Sequence, residues 1–479
     1  MRVRREVGVV ILVLSLILIG VTAAIQQPTS AATRPNVLLI VTDDQIDRPR
    51  TVTAQIMPNV YRELVQQGTR FTNAFVTNSW CCPSRASILS GQYSHTNGVW
   101  TTGGRYSLPA WRNHENSTLA TWLHGAGYRT GLVGKYLNEY GATSGTTYIP
   151  PGWDDWRAIM NLNYQVNSGY YDYDLNENGQ IVHYGSSSAD YATRVFTRKA
   201  REFITPRGDG KPWFLYLATT SPHGPSIPDP LDSSAFPSFS VPKGPNICEA
   251  DVSDKPLFIR QQPSCSISAG TYSQLVRNQQ ARMLLSVDRG IGQIIADLEA
   301  SGQLGNTLII FVSDNGSLIR AHRVRGKELP YEESIRVPIL ARWDALGSAP
   351  STLSQFTLNI DLAPTIVEAA GVSQHNPFDG RSLLPLLRGD TSGWRSDFLV
   401  EHLSTGTNDQ GGPSYCSVRN NRWKFVQYAT GERELYDLTN DPYELVSRDG
   451  QAAYRTTEDA LHDRMLQLCN PPPPGWQPQ

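Results

Sequence analysis

The chain has 479 residues, a formal net charge of −2, 39% hydrophobic and 18% charged residues, and six cysteines. That length suffices for one large α/β domain with a smaller companion, and the apolar content argues against wholesale disorder. A charge this near zero, with no basic stretch large enough to grip a phosphate backbone, sets nucleic-acid binding aside.

In chain order, Arg2, Arg4 and Arg5 precede an apolar run from Val7 to about Ile25, followed by small residues around Thr29, Ser30 and Ala31. A basic, then apolar, then small-residue order is that of a secretory signal peptide, here residues 1–32. It predicts a secreted or cell-surface protein without stable membrane association. An uncleaved anchor is the competing reading, because the run approaches spanning length. The small residues after it favour cleavage.

Asn36–Thr42 is an apolar, β-rich run that stops at Asp43-Asp44. It reads as a buried strand with an acidic pair at its carboxyl end. The pattern then predicts a helix over 117–125, a strand over 129–133, a helix over 191–204 and a strand over 213–218. An amphipathic helix over 279–298 follows, with apolar residues three and four apart, then a strand over 307–312 ending at Ser313-Asp314-Asn315-Gly316. Alternating helices and buried strands imply an α/β fold with a mainly parallel sheet covered on both faces. Ligands of such sheets gather beyond the carboxyl ends of the strands. Asp43-Asp44, Lys135, His223 and Asp314-Asn315 each closely follow one of these strands.

The main domain is expected over 33–388. The texture changes after it, and a small α+β subdomain is expected over 389–470, with short antiparallel strands over 419–428 and 432–437 and a helix over 458–468. The Pro-rich end, 471–479, is expected to lack structure.

Local pairing of Cys248 with Cys265 and of Cys416 with Cys469 is the economical arrangement for an oxidising compartment. That leaves the adjacent Cys81 and Cys82, which have neither the Cys-x-x-Cys spacing nor the patterned histidine of a zinc site. They open the string Cys81-Cys82-Pro83-Ser84-Arg85, followed by Ala-Ser-Ile-Leu-Ser-Gly. A Cys-x-Pro-Ser-Arg pentad with Leu-Ser-Gly shortly after it resembles the signature of the type I sulfatases. The similarity extends to Arg-Pro-Asn-Val-Leu-Leu-Ile-Val-Thr-Asp-Asp-Gln near the start, Ser-Asp-Asn-Gly, Gly-Lys-Glu-Leu-Pro-Tyr-Glu-Glu-Ser-Ile-Arg-Val-Pro, and Glu-Leu-Tyr-Asp-Leu-Thr-Asn-Asp-Pro-Tyr-Glu-Leu near the end.

The resemblance implies an alkaline-phosphatase-like sandwich and hydrolysis of sulfate esters. It implies that Cys81 is oxidised to formylglycine (3-oxoalanine) by a formylglycine-generating enzyme, a transient partner. The chemistry needs such a group. A hydrated aldehyde offers one hydroxyl to attack sulfur and a second whose collapse expels sulfate, which neither a serine nor a thiol can do. Asp43, Asp44, Asp314 and Asn315 are short oxygen donors, which favour Ca²⁺ or Mg²⁺ over a transition metal. The resemblance selects one Ca²⁺, with the modified Cys81 as a further ligand. It also implies that Arg85 steadies the nucleophile, that Lys135 and Lys327 bind sulfate, and that His223 protonates the leaving alcohol. Asn315-Gly316-Ser317 is a glycosylation sequon as well, but a metal ligand is buried and unavailable for that use.

Many arylsulfatases carry a histidine two residues after the lysine matched by Lys135, and here that position is Leu137. Lys-Tyr-Leu-Asn-Glu-Tyr and Cys-Cys-Pro-Ser-Arg-Ala-Ser-Ile-Leu are instead closest to the N-acetylglucosamine-6-sulfatase branch, which implies a sulfated sugar or glycan as substrate. Asn138, His95 and His322 are the candidates for polar support near Leu137, with Asn138 and His322 also expected at the substrate. The Tyr-His often found after Asp-Asn-Gly in that branch is absent between Gly316 and Gly326. Other readings are an arylsulfatase, a phosphonate monoester or phosphodiester hydrolase with the same pentad, or a non-catalytic scaffold, whose mark would be a missing ligand or nucleophile. Trp100, Trp153, Trp156, Tyr170 and Tyr171 are read either as sugar-stacking platforms or as core packing.

Overall fold

A computed structural model describes residues 34–160, 169–237, 240–373, 376–406 and 412–478. The expected signal peptide lies outside them. No helix among the described residues is long and apolar enough to cross a membrane.

Ten strands form the main sheet: β1 (Asn36–Thr42), β2 (Thr69–Phe75), β3 (Arg129–Gly134), β4 (Asp155–Ile159), β5 (Tyr173–Glu177), β6 (Gln180–Tyr184), β7 (Trp213–Ala218), β8 (Thr307–Ser313), β9 (Ile339–Arg342) and β10 (Ser351–Leu358). Their spatial order is β10-β2-β9-β8-β1-β7-β3-β4-β5-β6. β1 pairs in parallel with both β7 and β8, and β3 pairs in parallel with β7 and β4, whereas β9 and β5 run against their neighbours. The sheet is therefore mainly parallel, as the alternating pattern predicts.

Strand periodicity explains why β1 is apolar throughout. Val37, Leu39 and Val41 face one core with Cys82, Ala86, Leu123 and Ile366, while Leu38 and Ile40 face the other with Phe196, Leu284 and Ile294. The first face is covered by the helices Cys81–Ser90, Leu119–Gly125 and Leu362–Ala369, and the second by Ala192–Ile204 and Ile267–Ala300. The last helix begins twelve residues before the expected start. Its first turns carry few apolar residues to read, and the Ser266 side chain caps it by accepting from the Ala269 N–H.

The second sheet is an antiparallel meander of four strands, β11 (Asp397–His402), β12 (Tyr415–Asn420), β13 (Trp423–Tyr428) and β14 (Arg433–Asp437), covered by the helix Arg455–Leu468. The Cys416–Cys469 disulfide ties β12 to the end of that helix, and the other expected bridge, Cys248–Cys265, is present too. In the described part of the proline-rich end, Trp476 packs partly buried onto the C-terminal cluster, and its backbone N–H bonds the Pro473 carbonyl.

Gly134 closes β3 with φ +105°, and a Cβ there would lie 1.9 Å from the Ala218 carbonyl oxygen. Only glycine lets the chain turn there and deliver Lys135, whose N–H bonds that same carbonyl at 2.8 Å. Gly134→Ala is expected to cost about 2–4 kcal/mol, read as a lower urea midpoint at unchanged slope.

Candidate active site

The order β8-β1-β7-β3 sets four parallel strands side by side, so their carboxyl ends present Asp314-Asn315, Asp43-Asp44, the turn to His223, and Lys135 along one rim. Backbone bonds stitch the rim together: Asp314 N–H to Thr42 O at 3.0 Å, and Asp43 N–H to Ser221 O at 3.1 Å. Asp44 is held at φ +64°, a conformation that a non-glycine residue adopts at a cost.

Cys81 is the first residue of its helix, where backbone N–H groups lack intrahelical partners and the dipole is positive. Its Sγ lies 3.5 Å from Asp43 Oδ1 and accepts from Lys327 Nζ at 2.7 Å. Burial, reinforced by Asp43, pushes the thiol up to about 12, so the unmodified cysteine is held protonated.

One helical turn on, the wholly buried Arg85 donates from Nε to Asp314 Oδ2 at 2.8 Å and from Nη1 to the Lys135 carbonyl at 2.9 Å, and its Nη2 is 3.6 Å from Asp43 Oδ2. Lys135 Nζ donates to Asp43 Oδ2 at 2.5 Å, and Lys327 also donates to Asp44. Burial alone would raise the Asp43 carboxyl, but Lys135, His223, Arg85 and Lys327 outweigh it and hold the group well below the ordinary carboxylate range. Asp314 is shifted upward, first by burial and then by the charge on Asp43. For Lys327, burial works against the ammonium, but Asp44 and its neighbours keep its pKa well above that of a free lysine.

His223 Nδ1 lies 2.5 Å from the Gly224 carbonyl, which fixes the ring and turns Nε2 to within 3.6 Å of Asp44 Oδ2. A proton on Nδ1 means that Nε2 donates only from the imidazolium form.

The donor set suits a hard cation. Asp43, Asp44, Cys81 and His223 offer atoms all within 4.8 Å of one another, and Asp314 and Asn315 stand beside them. Asn315 Nδ2 donates to Asp44 Oδ1 at 2.5 Å and to Gly316 O, while its buried Oδ1 has no hydrogen-bond partner. An orphaned buried carbonyl oxygen among carboxylates suits a ligand of a hard cation. The same burial keeps Asn315 from serving as a glycosylation site.

Three candidates are not brought into this cluster. His322 is sealed among other groups, with Nδ1 2.6 Å from Glu249 Oε2 and its ring stacked 4.1 Å from Tyr331; burial pushes it down to about 4, and it offers no surface to a substrate. His95 bonds Glu401 at 2.8 Å and stacks on Tyr93. Asn138 meets Cys82 through its backbone N–H, and its side-chain Oδ1 is buried without a hydrogen bond. Trp100, Trp156 and Tyr170 are buried core residues, and Trp153 stacks on Phe214, so packing accounts for them; Tyr171 leans on Tyr191.

Beside the cluster opens a cleft of about 400 Å³, lined by Asp44, His223, Lys327, Tyr272, Gln280, Arg320 and Arg325 among others. The last four carry no motif in the sequence. Tyr272 comes from the unexpected early turns of the Ile267–Ala300 helix, Gln280 from its expected part, and Arg320 and Arg325 from the segment after Asn315.

This architecture is the alkaline-phosphatase-like fold. The chain belongs to the sulfatase family, whose model matches residues 35–372, and residues 321–470 match the C-terminal region of N-sulphoglucosamine sulphohydrolase. It is 35% identical to the N-acetylglucosamine-6-sulfatase of Homo sapiens, over 82% of this chain and 72% of that protein. It is equally identical, over 77% of its length, to the extracellular sulfatase SULF-1 homolog of Drosophila melanogaster. The chain spans 33% of that relative and 49% of the corresponding Caenorhabditis elegans protein. In fold it is similar to BT4656, solved in complex with its substrate D-glucosamine-2-N,6-O-disulfate, at a TM-score of 0.80, 24% identity, 91% of this chain and 98% of that one. The phosphonate monoester hydrolase of Agrobacterium radiobacter shares the fold at a TM-score of 0.73, 23% identity, 91% of this chain and 96% of that one.

Arg85→Met would strand Asp314 as a buried carboxylate without its partner. The expected loss is about 3–5 kcal/mol in denaturant unfolding of metal-free protein.

Proposed function

We propose that the protein hydrolyses sulfate esters on a sulfated sugar or glycan, with formylglycine at position 81 as nucleophile and one Ca²⁺ as cofactor. The observation that carries the reading is Cys81 at a helix N-terminus, within reach of Asp43 and Lys327, in a chain of the sulfatase family. The N-acetylglucosamine-6-sulfatase relatives support the sugar, and the extracellular relatives and the two disulfides support export.

Asp43, Asp44, Asp314 and Asn315 would hold Ca²⁺, which supplies charge to neutralise the sulfate and to orient the hydrated aldehyde. Formylglycine supplies a hydroxyl that attacks sulfur and a second one whose collapse releases sulfate. The residues of the chain do the rest. Lys135 and Lys327 present fixed ammonium groups to the ester oxygens, at no reorganisation cost because both are already held by Asp43 and Asp44. Arg85 bridges two carboxylates, donating to Asp314 and lying 3.6 Å from Asp43, and so offsets part of their repulsion. His223, as imidazolium with Nδ1 on the Gly224 carbonyl, delivers the Nε2 proton to the departing sugar oxygen. Leu137 stands where many arylsulfatases carry the histidine that helps expel sulfate.

Mass spectrometry of the tryptic peptide 71–85, from protein made in a host that activates sulfatases, is expected to show the aldehyde in place of the thiol and capture by a hydrazine. Unmodified thiol at Cys81 in that host would sink the mechanism. Matched sulfate and phosphate esters of one leaving group are expected to favour sulfate; the reverse result would support the phosphonate or phosphodiester reading, which rests on the shared fold.

His223→Ala is expected to slow a sugar sulfate by about 10²–10⁴-fold. The loss on 4-nitrophenyl sulfate should be far smaller, because that leaving group needs no proton. Equal losses on both esters would remove His223 as the acid.

A further inference from the structure

The cleft beside the candidate active site holds more positive charge than one sulfate ester requires. Besides Lys327 it is lined by Arg320 and Arg325, both on the segment that follows Asn315. Several other arginines have acidic partners: Arg85 pairs with Asp314, Arg336 and Arg419 with Glu332, and Arg289 with Asp232, while Arg323 is held by the backbone carbonyls of Glu249 and Ala250. Arg320 and Arg325 form no ion pair among the described residues. Arg320 Nε is buried without a hydrogen-bond partner, and its one side-chain bond is from Nη1 to the Arg323 carbonyl at 3.2 Å. Arg325 is exposed, and its guanidinium stacks 5.2 Å over the Tyr272 ring. Burial, and then the neighbouring Arg325, depress the Arg320 pKa.

The carboxylates of the cleft do not neutralise them. Asp44 is taken by Lys327 and Asn315, while Glu328 is buried and its charge bears on Tyr415.

The segment is also built to hold its shape. Ile319, Arg320, His322 and Arg323 all have positive φ (40°, 73°, 49° and 66°), a run of costly conformations that only a firm surround sustains. The surround is visible. Leu318 N–H bonds Gly326 O at 2.7 Å, Cys248 N–H bonds Arg320 O at 2.8 Å, Ser273 Oγ donates to Ile319 O at 3.0 Å, and Arg323 Nε donates to Glu249 O at 2.8 Å. The Cys248–Cys265 disulfide anchors the strand of chain against which Arg320 rests. Backbone strain pinned from several sides presents two unpaired guanidinium groups to a cavity of about 400 Å³, the size of a sugar ring with its substituents.

We propose that Arg320 and Arg325 form a second anion subsite, so that the preferred substrate carries, beside the ester to be cleaved, another acidic group on the same or the adjoining sugar. The inference rests on the sulfatase reading and adds specificity to it: Lys135, Lys327 and His223 hold the scissile sulfate, while Arg320 and Arg325 read the other anion by charge-assisted, fork-shaped hydrogen bonds.

Calorimetry on the full-length Cys81→Ala protein in calcium buffer measures the subsite without turnover. The probes are glucosamine 6-sulfate carrying an N-acetyl group, the same sugar carrying an N-sulfo group, and the N-acetyl sugar joined to a uronic acid. At least one doubly anionic ligand is expected to bind about tenfold or more tighter than the singly anionic one. In Arg320→Gln and Arg325→Gln that ratio should collapse toward one. Preference for the N-sulfo ligand assigns the second anion to the same ring, and preference for the uronate assigns it to the neighbour. Equal affinities for all three ligands, or a ratio that survives both substitutions, overturn the subsite. Loss of all binding in equal proportion would mark the arginines as structural and overturn it as well. Absence of hydrolysis by the unsubstituted, activated enzyme would instead count against the sulfatase reading alone.

Discussion

Three carboxylates, Asp43, Asp44 and Asp314, stand at the ends of two adjacent parallel strands, and their repulsion in a buried place would be severe without compensation. Arg85, Lys135 and Lys327 supply it, each from a different element: the Cys81–Ser90 helix, the turn after β3 and the segment after β8. The rest of the site depends on this mutual arrangement. Remove one partner and a charge is left in a medium that tolerates none, so catalytic geometry and local stability are the same set of contacts.

The network also surrounds Cys81, the proposed nucleophile position, which is buried. The helix carrying Cys81 packs on one face of the sheet through Cys82 and Ala86, which leaves Cys81 at its tip against the rim. The small sheet acts as a buttress. Lys424 on β13 bonds Glu444 at 2.6 Å and the Pro330 carbonyl at 2.7 Å, and Arg419 on β12 pairs with Glu332. These bonds hold residues 330–336, against which Gly316 packs so closely that a Cβ there would meet Glu333 O at 2.1 Å. The subdomain thereby sets the path of the chain through Asp314 and Asn315.

Much of this was legible before any coordinates. The strands β1, β3, β7 and β8 read as apolar runs because both of their faces are buried. The polar edge is harder to read: β4, β5 and β6 mix charged and amide side chains with apolar ones, and β6, the outermost, is largely exposed. A signal for it existed, since Asn178-Gly179 between β5 and β6 is the two-residue turn of a tight hairpin, and both residues have positive φ. His322 lies away from Lys327 although the two are close in sequence, because the chain between them carries residues of positive φ and His322 packs on Tyr331.

The sequence by itself determined the proposed chemistry, because that reading depends on residue types in fixed local order: the pentad with Cys81 and Arg85 one helical turn apart, the acidic pair after β1, and the Asp-Asn-Gly after β8. The two disulfides also followed from it, since each closes a local stretch of chain. Only the tertiary structure decided what surrounds that chemistry. Which lysine meets which carboxylate, where the cleft opens, and that Arg320 and Arg325 share it without an acidic partner all depend on distances between segments far apart in the chain. Those distances are set by the packing of the sheet, its helices and the buttress, and no local pattern records them.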